Sequence, residues 1–336
     1  MTYRFRPLRA LATSRRYLTL AALVLGVLAP RAASAVQSAE LYRTDAYFYG
    51  RFEARLQFAP GEGVVSSFFL WKDGSSSTTS WNELDFEKIN AACRLQSNIW
   101  TGTGTQSAEI DTPAFNICDG YHTYAFEWTP DYIAWFIDGN QIRKVTGASV
   151  AEYTQNASQG MAMHFNVWVG NSSFGGTLDP SILPVNEYIS WAQYSSYANG
   201  AFQLQWREEF DGATMPTGWA AGNWASAYNL STHNPANVNF VNGIAVLSMT
   251  ADGATGYSGA PPADSSDGGV TYNDGGGTGG GGGQAGSPGQ AGAGSGCSCD
   301  AGSATNGRPM AALLLFAVTV GIGCRRRRRR APRDLA

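Results

Sequence analysis

Charge is scarce in this chain, and what there is sits unevenly. Only 15% of its 336 residues are Asp, Glu, Lys or Arg. From Val36 to Thr250 nine Lys and Arg face twenty Asp and Glu, and the other arginines gather at the two ends. An acidic body has no basic surface with which to neutralise phosphates, which excludes nucleic acid as its partner. Histidine is scarcer still. His122, His164 and His233 follow no metal-ligand spacing, so no metal site is expected. No stretch carries the 3.6-residue apolar period of a long amphipathic helix, and Ala148 to Gln155 offers one or two turns at best. That absence removes helical bundles and parallel βαβ architectures.

What remains is a succession of short runs rich in Val, Ile, Phe, Tyr and Trp, broken by Gly, Asn, Asp and Pro. Tyr49–Leu56, Val64–Trp71, Thr123–Trp128, Tyr132–Ile137, Met161–Val169 and Asn237–Met249 all read as strands. Asp138-Gly139 marks a hairpin, with Gln141–Val145 returning. Many short antiparallel strands over roughly 210 residues predict an all-β sandwich or jelly roll. Aromatic residues at 12%, combined with so few charges, suit a neutral ring-shaped ligand such as a sugar.

The ends differ from the body. Residues 1–35 carry a basic start, an apolar run from Leu18 to Leu28 and Ala33-Ser34-Ala35, the pattern of a cleaved export signal. The body spans 36–260. Residues 261–306 form a Gly/Ser-rich spacer without core-forming side chains. Within 307–336, an apolar run from Met310 to Gly323 is followed by Arg325 to Arg330, which reads as a membrane sorting signal. Of the five cysteines, Cys93 and Cys118 lie inside the body, as a disulfide or as two buried thiols.

One segment concentrates chemistry. Trp81-Asn82-Glu83-Leu84-Asp85-Phe86-Glu87 reads as a strand, so Glu83, Asp85 and Glu87 share one face while Leu84 and Phe86 point to the core. Like charges this close repel, and crowding drives carboxyl pKa values apart. One group then stays ionised as a nucleophile while another keeps a proton near neutral pH, the division of labour a glycosidase needs. Taken alone, the trio has a bland alternative, a solvated acidic face or a bound calcium ion.

With its surroundings, the segment resembles the Glu-x-Asp-x-Glu signature of glycoside hydrolase family 16, in particular the lichenases, the 1,3-1,4-β-glucanases. Val65–Leu70, Tyr121–Ile133 and His164–Trp168 resemble flanking strands of that group. The resemblance implies a concanavalin A-like jelly roll and a retaining double displacement, with Glu83 as nucleophile, Glu87 as acid/base and Asp85 tuning both. It implies stacking on glucose rings by Phe69, Trp71, Trp168 and Trp224, with Phe174 where relatives carry a further Trp. Gln96, Asn98 and Asn166 are the expected partners of sugar hydroxyls. For each aromatic the alternative is core packing, and Trp81 is expected to be structural. Lys88-Ile89-Asn90 departs from the commoner apolar-Leu-Gly sequence, and Trp71 and Asp73 depart from Tyr and Asn.

The order of the pieces differs too. Elements that open ordinary lichenases come last here, as Glu209–Gly212, Trp219, Trp224 and Asn237–Ser248, so the chain resembles a circularly permuted lichenase. Permutation requires the two ends of the sandwich to be close, with Glu40 near Gly243–Ser248. No cofactor is expected, and a structural calcium is the one addition the resemblance leaves open. The tail from Gly296-Cys297-Ser298-Cys299 onward resembles MYXO-CTERM sorting tails. Together these imply a secreted monomer, held at the cell surface only through its tail, acting on β-glucan. The rivals are another activity on the same fold, 1,3-β-glucanase or transglycosylase, and an inactive carbohydrate-binding jelly roll.

Overall fold

Alternation of large apolar and polar residues builds two sheets that face each other. A computed structural model describes residues 36–265. The expected leader, most of the spacer and the arginine-tailed apolar run lie outside the described residues.

The first sheet is ordered β13 (Trp219–Ala221), β1 (Val36–Arg43), β10 (Ala162–Val169), β3 (Val64–Trp71), β4 (Glu83–Ile89), β5 (Arg94–Thr101) and β6 (Thr105–Asp111). A short strand, β14 (Ser231–His233), runs parallel to β1. The second sheet is ordered β15 (Val238–Val241), β16 (Ile244–Met249), β11 (Val185–Ala198), β2 (Gly50–Gln57), β7 (His122–Trp128), β8 (Tyr132–Ile137) and β9 (Asn140–Thr146), with β12 (Ala201–Glu208) on β11. Apart from the β1–β14 pairing, neighbouring strands are antiparallel, which makes this the expected all-β jelly-roll sandwich.

Register explains the core. Phe165, Phe68 and Phe86 are direct cross-strand partners, so their rings form one row on the inner face of the first sheet. Phe126 of the second sheet meets that row, 4.9 Å from Phe68 and 4.8 Å from Phe86. A large buried aromatic of this kind is worth about 3–5 kcal/mol against alanine. The same register sends the residues on either side of each Phe to the outer face, where the polar side chains of β3, β4, β5 and β10 collect.

The Asp138-Gly139 hairpin forms as expected, both residues taking the positive φ its type I′ turn requires (48° and 77°). Ala148–Asn156 exceeds expectation: it is a nine-residue helix, α1. It buries only Val150 and Tyr153, and much of its anchorage is non-local. Trp128 packs edge-on against Tyr153 and donates Nε1 to Thr154 Oγ1 at 3.0 Å. Asn82 Nδ2 donates to Tyr153 O at 2.8 Å, which ties the helix to the residue just before β4. Cys93 and Cys118 are joined in a disulfide, closing the alternative of two free thiols.

The ends of the sandwich meet. Gln37 and Thr250 exchange two backbone hydrogen bonds of 3.0 and 2.8 Å, so the start of β1 lies beside the end of β16.

Candidate active site

The outer face of the first sheet reads as cross-strand rows. Trp100, Glu83 and Trp71 form one row. Asn98, Asp85, Phe69, His164 and Tyr42 form the next. Gln96, Glu87, Ser67, Asn166 and Glu40 form a third. The three carboxyls of β4 thus stand in three successive rows at the centre of the sheet. They lie on the floor of a cleft of about 390 Å³ whose walls include Phe69, Trp100, Trp168, Phe174 and Tyr228.

Each carboxyl has its own partner. Trp81 Nε1 donates to Glu83 Oε2 at 2.6 Å. Glu83 and Asp85 share a hydrogen bond, and Asn98 bonds the Asp85 carboxyl from the next strand. Gln96 Nε2 donates to Glu87 Oε2 at 3.3 Å. From beneath, Trp135 of the second sheet donates Nε1 to the Asp85 carbonyl oxygen at 3.1 Å, fixing the backbone between the two glutamates.

Burial pushes all three carboxyls toward the protonated form. Glu83 is raised to about 7, with the Trp81 and Asp85 hydrogen bonds pulling down and the Glu40 charge adding a little upward. Glu87 is raised to about 8 by burial and by the Glu83 charge, against the Gln96 bond. Asp85 lies well above the ordinary carboxylate range, through burial first and then through Glu83 and Glu87. At neutral pH the trio can hold one ionised and one protonated glutamate, which is the pairing that nucleophilic attack with acid assistance needs.

The expected sugar contacts divide. Phe69, Asn98, Asn166, Trp168 and Phe174 line the cleft. Gln96 is engaged with Glu87. Trp71 lies edge-on to Trp81 at 6.0 Å, outside the lining. Trp224, 43% exposed, sits 5.6 Å from Tyr42 and likewise outside it. Asn98 Oδ1, Asn166 Oδ1 and Ser67 Oγ are buried without a protein hydrogen-bond partner, so all three are free for a ligand's hydroxyls.

Sequence reasoning passed over Ser67, Trp100, Gln106 and Tyr228, which also line the cleft, and took Trp81 as structural although it bonds Glu83 directly. Ser67 was within reach, since it stands two residues from Phe69 on the same face. Tyr228 gives no sequence signal: it arrives from a turn far along the chain.

His164 borders the site. Its Nδ1 lies 2.8 Å from Glu40 Oε1, and His233 Nε2 lies 3.3 Å from Glu40 Oε2. Ser38 Oγ completes the network at 3.0 Å from His233 Nδ1. His122 is bound to Asp138, away from the cleft. Among the described residues no group of three or more His, Cys, Asp or Glu is arranged to hold a metal ion.

Comparison with known proteins places this site in context. Residues 13–193 match the family model described as glycosyl hydrolases family 16. A β-glucanase of Fibrobacter succinogenes is 34% identical over 239 residues, which cover 67% of this chain and 67% of that protein. A β-glucanase of Brevibacillus brevis is 31% identical over 166 residues, 48% of this chain and 62% of that protein. The chain thus spans about two thirds or less of the length of these relatives. Among solved structures, a Bacillus licheniformis β-glucanase aligns over 47% of this chain and 71% of its own, with 27% identity and a TM-score of 0.41.

Proposed function

The chain belongs to the glycosyl hydrolases family 16, and on that premise we propose that it is an endo-acting β-glucanase that cleaves mixed-linkage 1,3-1,4-β-D-glucan with retention of configuration. The observation that carries the reading is the placement of Glu83, Asp85 and Glu87, on one face of β4, on the floor of an aromatic-walled cleft. Glu83 attacks the anomeric carbon while Glu87 protonates the departing glycosidic oxygen. Glu87, now a carboxylate, then takes a proton from water, which opens the glycosyl–Glu83 ester. Trp81 holds the attacking carboxylate through its 2.6 Å bond. Asp85, whose carboxyl is pushed well above the ordinary range by burial and by its two acidic neighbours, shares a hydrogen bond with Glu83 and so limits the repulsion between the two glutamates. Four strand residues separate the glutamate Cα atoms by roughly 13 Å. A retaining pair needs its carboxyls about 5–5.5 Å apart, so these side chains must lean together in the working enzyme.

The same reading takes the chain as a circular permutant, and the paired bonds between Gln37 and Thr250 support it by bringing the ends of the sandwich together. It also takes the enzyme as exported and displayed through its tail. The Cys93–Cys118 disulfide fits an oxidising compartment.

The test is reducing-sugar release by the full chain from barley β-glucan, laminarin and carboxymethylcellulose, beside Glu83→Gln. Turnover of barley β-glucan that Glu83→Gln abolishes is the expected result. Preference for laminarin would move the assignment to a 1,3-β-glucanase, and binding without turnover would leave a carbohydrate-binding protein.

A further inference from the structure

Trp168 is the aromatic that the family resemblance sets against a sugar ring, yet it is only 6% exposed. Phe174 stacks on it at 6.1 Å and 21°, and Tyr228 leans over it at 5.9 Å and 46°. Tyr228 lines the same cleft and is 55% exposed. At this end of the cleft, then, the most exposed ring is Tyr228, with Trp168 behind it and Phe174 partly exposed beside them.

Tyr228 holds this place in a backbone conformation its side chain disfavours. It sits at φ 61° and ψ 3°, followed by Asn229 at φ 54°. Glycine takes such left-handed angles freely, whereas a bulky residue does so only where its surroundings fix it. The turn is fixed at several points. Ser226 N donates to Ser231 O at 2.9 Å, Asn229 N to Ser226 O at 3.0 Å, and Ser231 N to Ser226 Oγ at 3.2 Å. Val169, next to Trp168 in β10, donates its N–H to Ser231 Oγ at 3.3 Å, fastening the turn to the strand it covers. A cover that swings away would lack these ties. The ring is also no by-product of the turn, which a glycine would form with less backbone strain.

We propose that Tyr228 is a substrate-holding platform of this enzyme, presenting its ring to the C–H face of a glucosyl unit while Trp168 backs it. The proposal rests on the β-glucanase reading above. A rigid aromatic presented at the rim offers a large apolar contact at little entropic cost. Tyr228 therefore contributes to holding the glucan and not to the bond-breaking step, which belongs to β4.

The experiment compares Tyr228→Gly and Tyr228→Phe with the unmodified chain on barley β-glucan, with thermal melting as a check on folding. Tyr228→Gly suits the turn, so it removes the ring without breaking the backbone. KM raised by about tenfold with kcat within about twofold, and Tyr228→Phe close to the unmodified enzyme, would support the platform. KM unchanged or lowered in Tyr228→Gly would overturn it and make the ring a mere cover on Trp168. Barley β-glucan binding by Glu83→Gln, with and without Tyr228→Gly, separates this outcome from a failure of the activity itself. Weaker binding by the double variant supports the platform even if the chain turns over no glucan. Equal or tighter binding overturns it.

Discussion

Glu83 and Glu87 are the same residue type four positions apart, and only their neighbours set them apart. Glu83 receives an indole N–H at 2.6 Å and Glu87 a longer amide bond at 3.3 Å, so burial leaves them at about 7 and about 8 respectively. On the proposed mechanism the productive form has Glu83 ionised and Glu87 protonated. Activity should rise as pH passes about 7, where Glu83 loses its proton, and fall above about 8, where Glu87 does. A kcat/KM profile on barley β-glucan checks this bell shape. Trp81→Phe sharpens the test. It removes a bond that stabilises the Glu83 carboxylate, so the acid limb should move to higher pH while the alkaline limb holds. An unmoved acid limb would show that the indole merely packs. Glu87→Gln should lower kcat by roughly 10²–10⁴-fold through loss of acid assistance.

β4 was legible because a period of two is hard to mistake: three carboxylates on one face with Leu84 and Phe86 on the other left little choice of strand or register. Elements whose order comes from distant partners were not legible. The longest strand, Val185–Ala198, went unread because Ser, Gln and Tyr occupy much of it, and its identity comes from pairing with β2 and β16. The helix at Ala148–Asn156 was undersold because Trp128 and Asn82, its anchors, lie outside it. Lys88 lies between these cases. Its departure from an apolar family position was visible, but its partners were not. On the core face of β4 it is fully buried, and its Nζ donates to Gly61 O at 2.8 Å and Val64 O at 2.9 Å. That loop in turn pairs with the one carrying Phe174, through Gly63 N to Gly175 O at 2.8 Å and Gly170 N to Gly63 O at 2.9 Å. Lys88→Met keeps the stem and leaves two carbonyls unsatisfied, a loss of about 2 kcal/mol. It should also raise KM more than it lowers kcat, since the loop bears on the cleft wall and not on the carboxyls. Denaturant melts and steady-state kinetics read both.

At the scale of the whole molecule, the sandwich does not end with its last strand. Beyond Met249 the chain crosses the second sheet again. Tyr257 packs edge-on to Tyr188 at 6.1 Å, Pro262 O accepts from Tyr121 Oη at 2.9 Å, and Asp264 holds Arg55 of β2 through bonds of 2.6 and 2.8 Å. The composition of this stretch, poor in apolar residues, reads as spacer, which is why a boundary near 260 was expected. A strap held by a bidentate ion pair, a hydroxyl and an edge-on tyrosine leaves little pattern in a sequence. Both partners of that pair are about nine-tenths buried, with side-chain exposures of 10% and 9%. Removing one member of a buried pair costs about 3–5 kcal/mol, because the other charge stays desolvated. In a domain of this size that corresponds to a melting temperature lower by about 6–20 °C. Asp264→Ala in the full chain should show that drop at both low and high salt, since a buried pair is weakly screened. Asp264→Glu, which keeps the charge on a longer stem, should recover part of it. A melting temperature unchanged by Asp264→Ala would place residues 261–264 outside the cooperative fold and return the boundary to about 260. A drop of the expected size would make residues 257–264 part of what any shortened enzyme must retain.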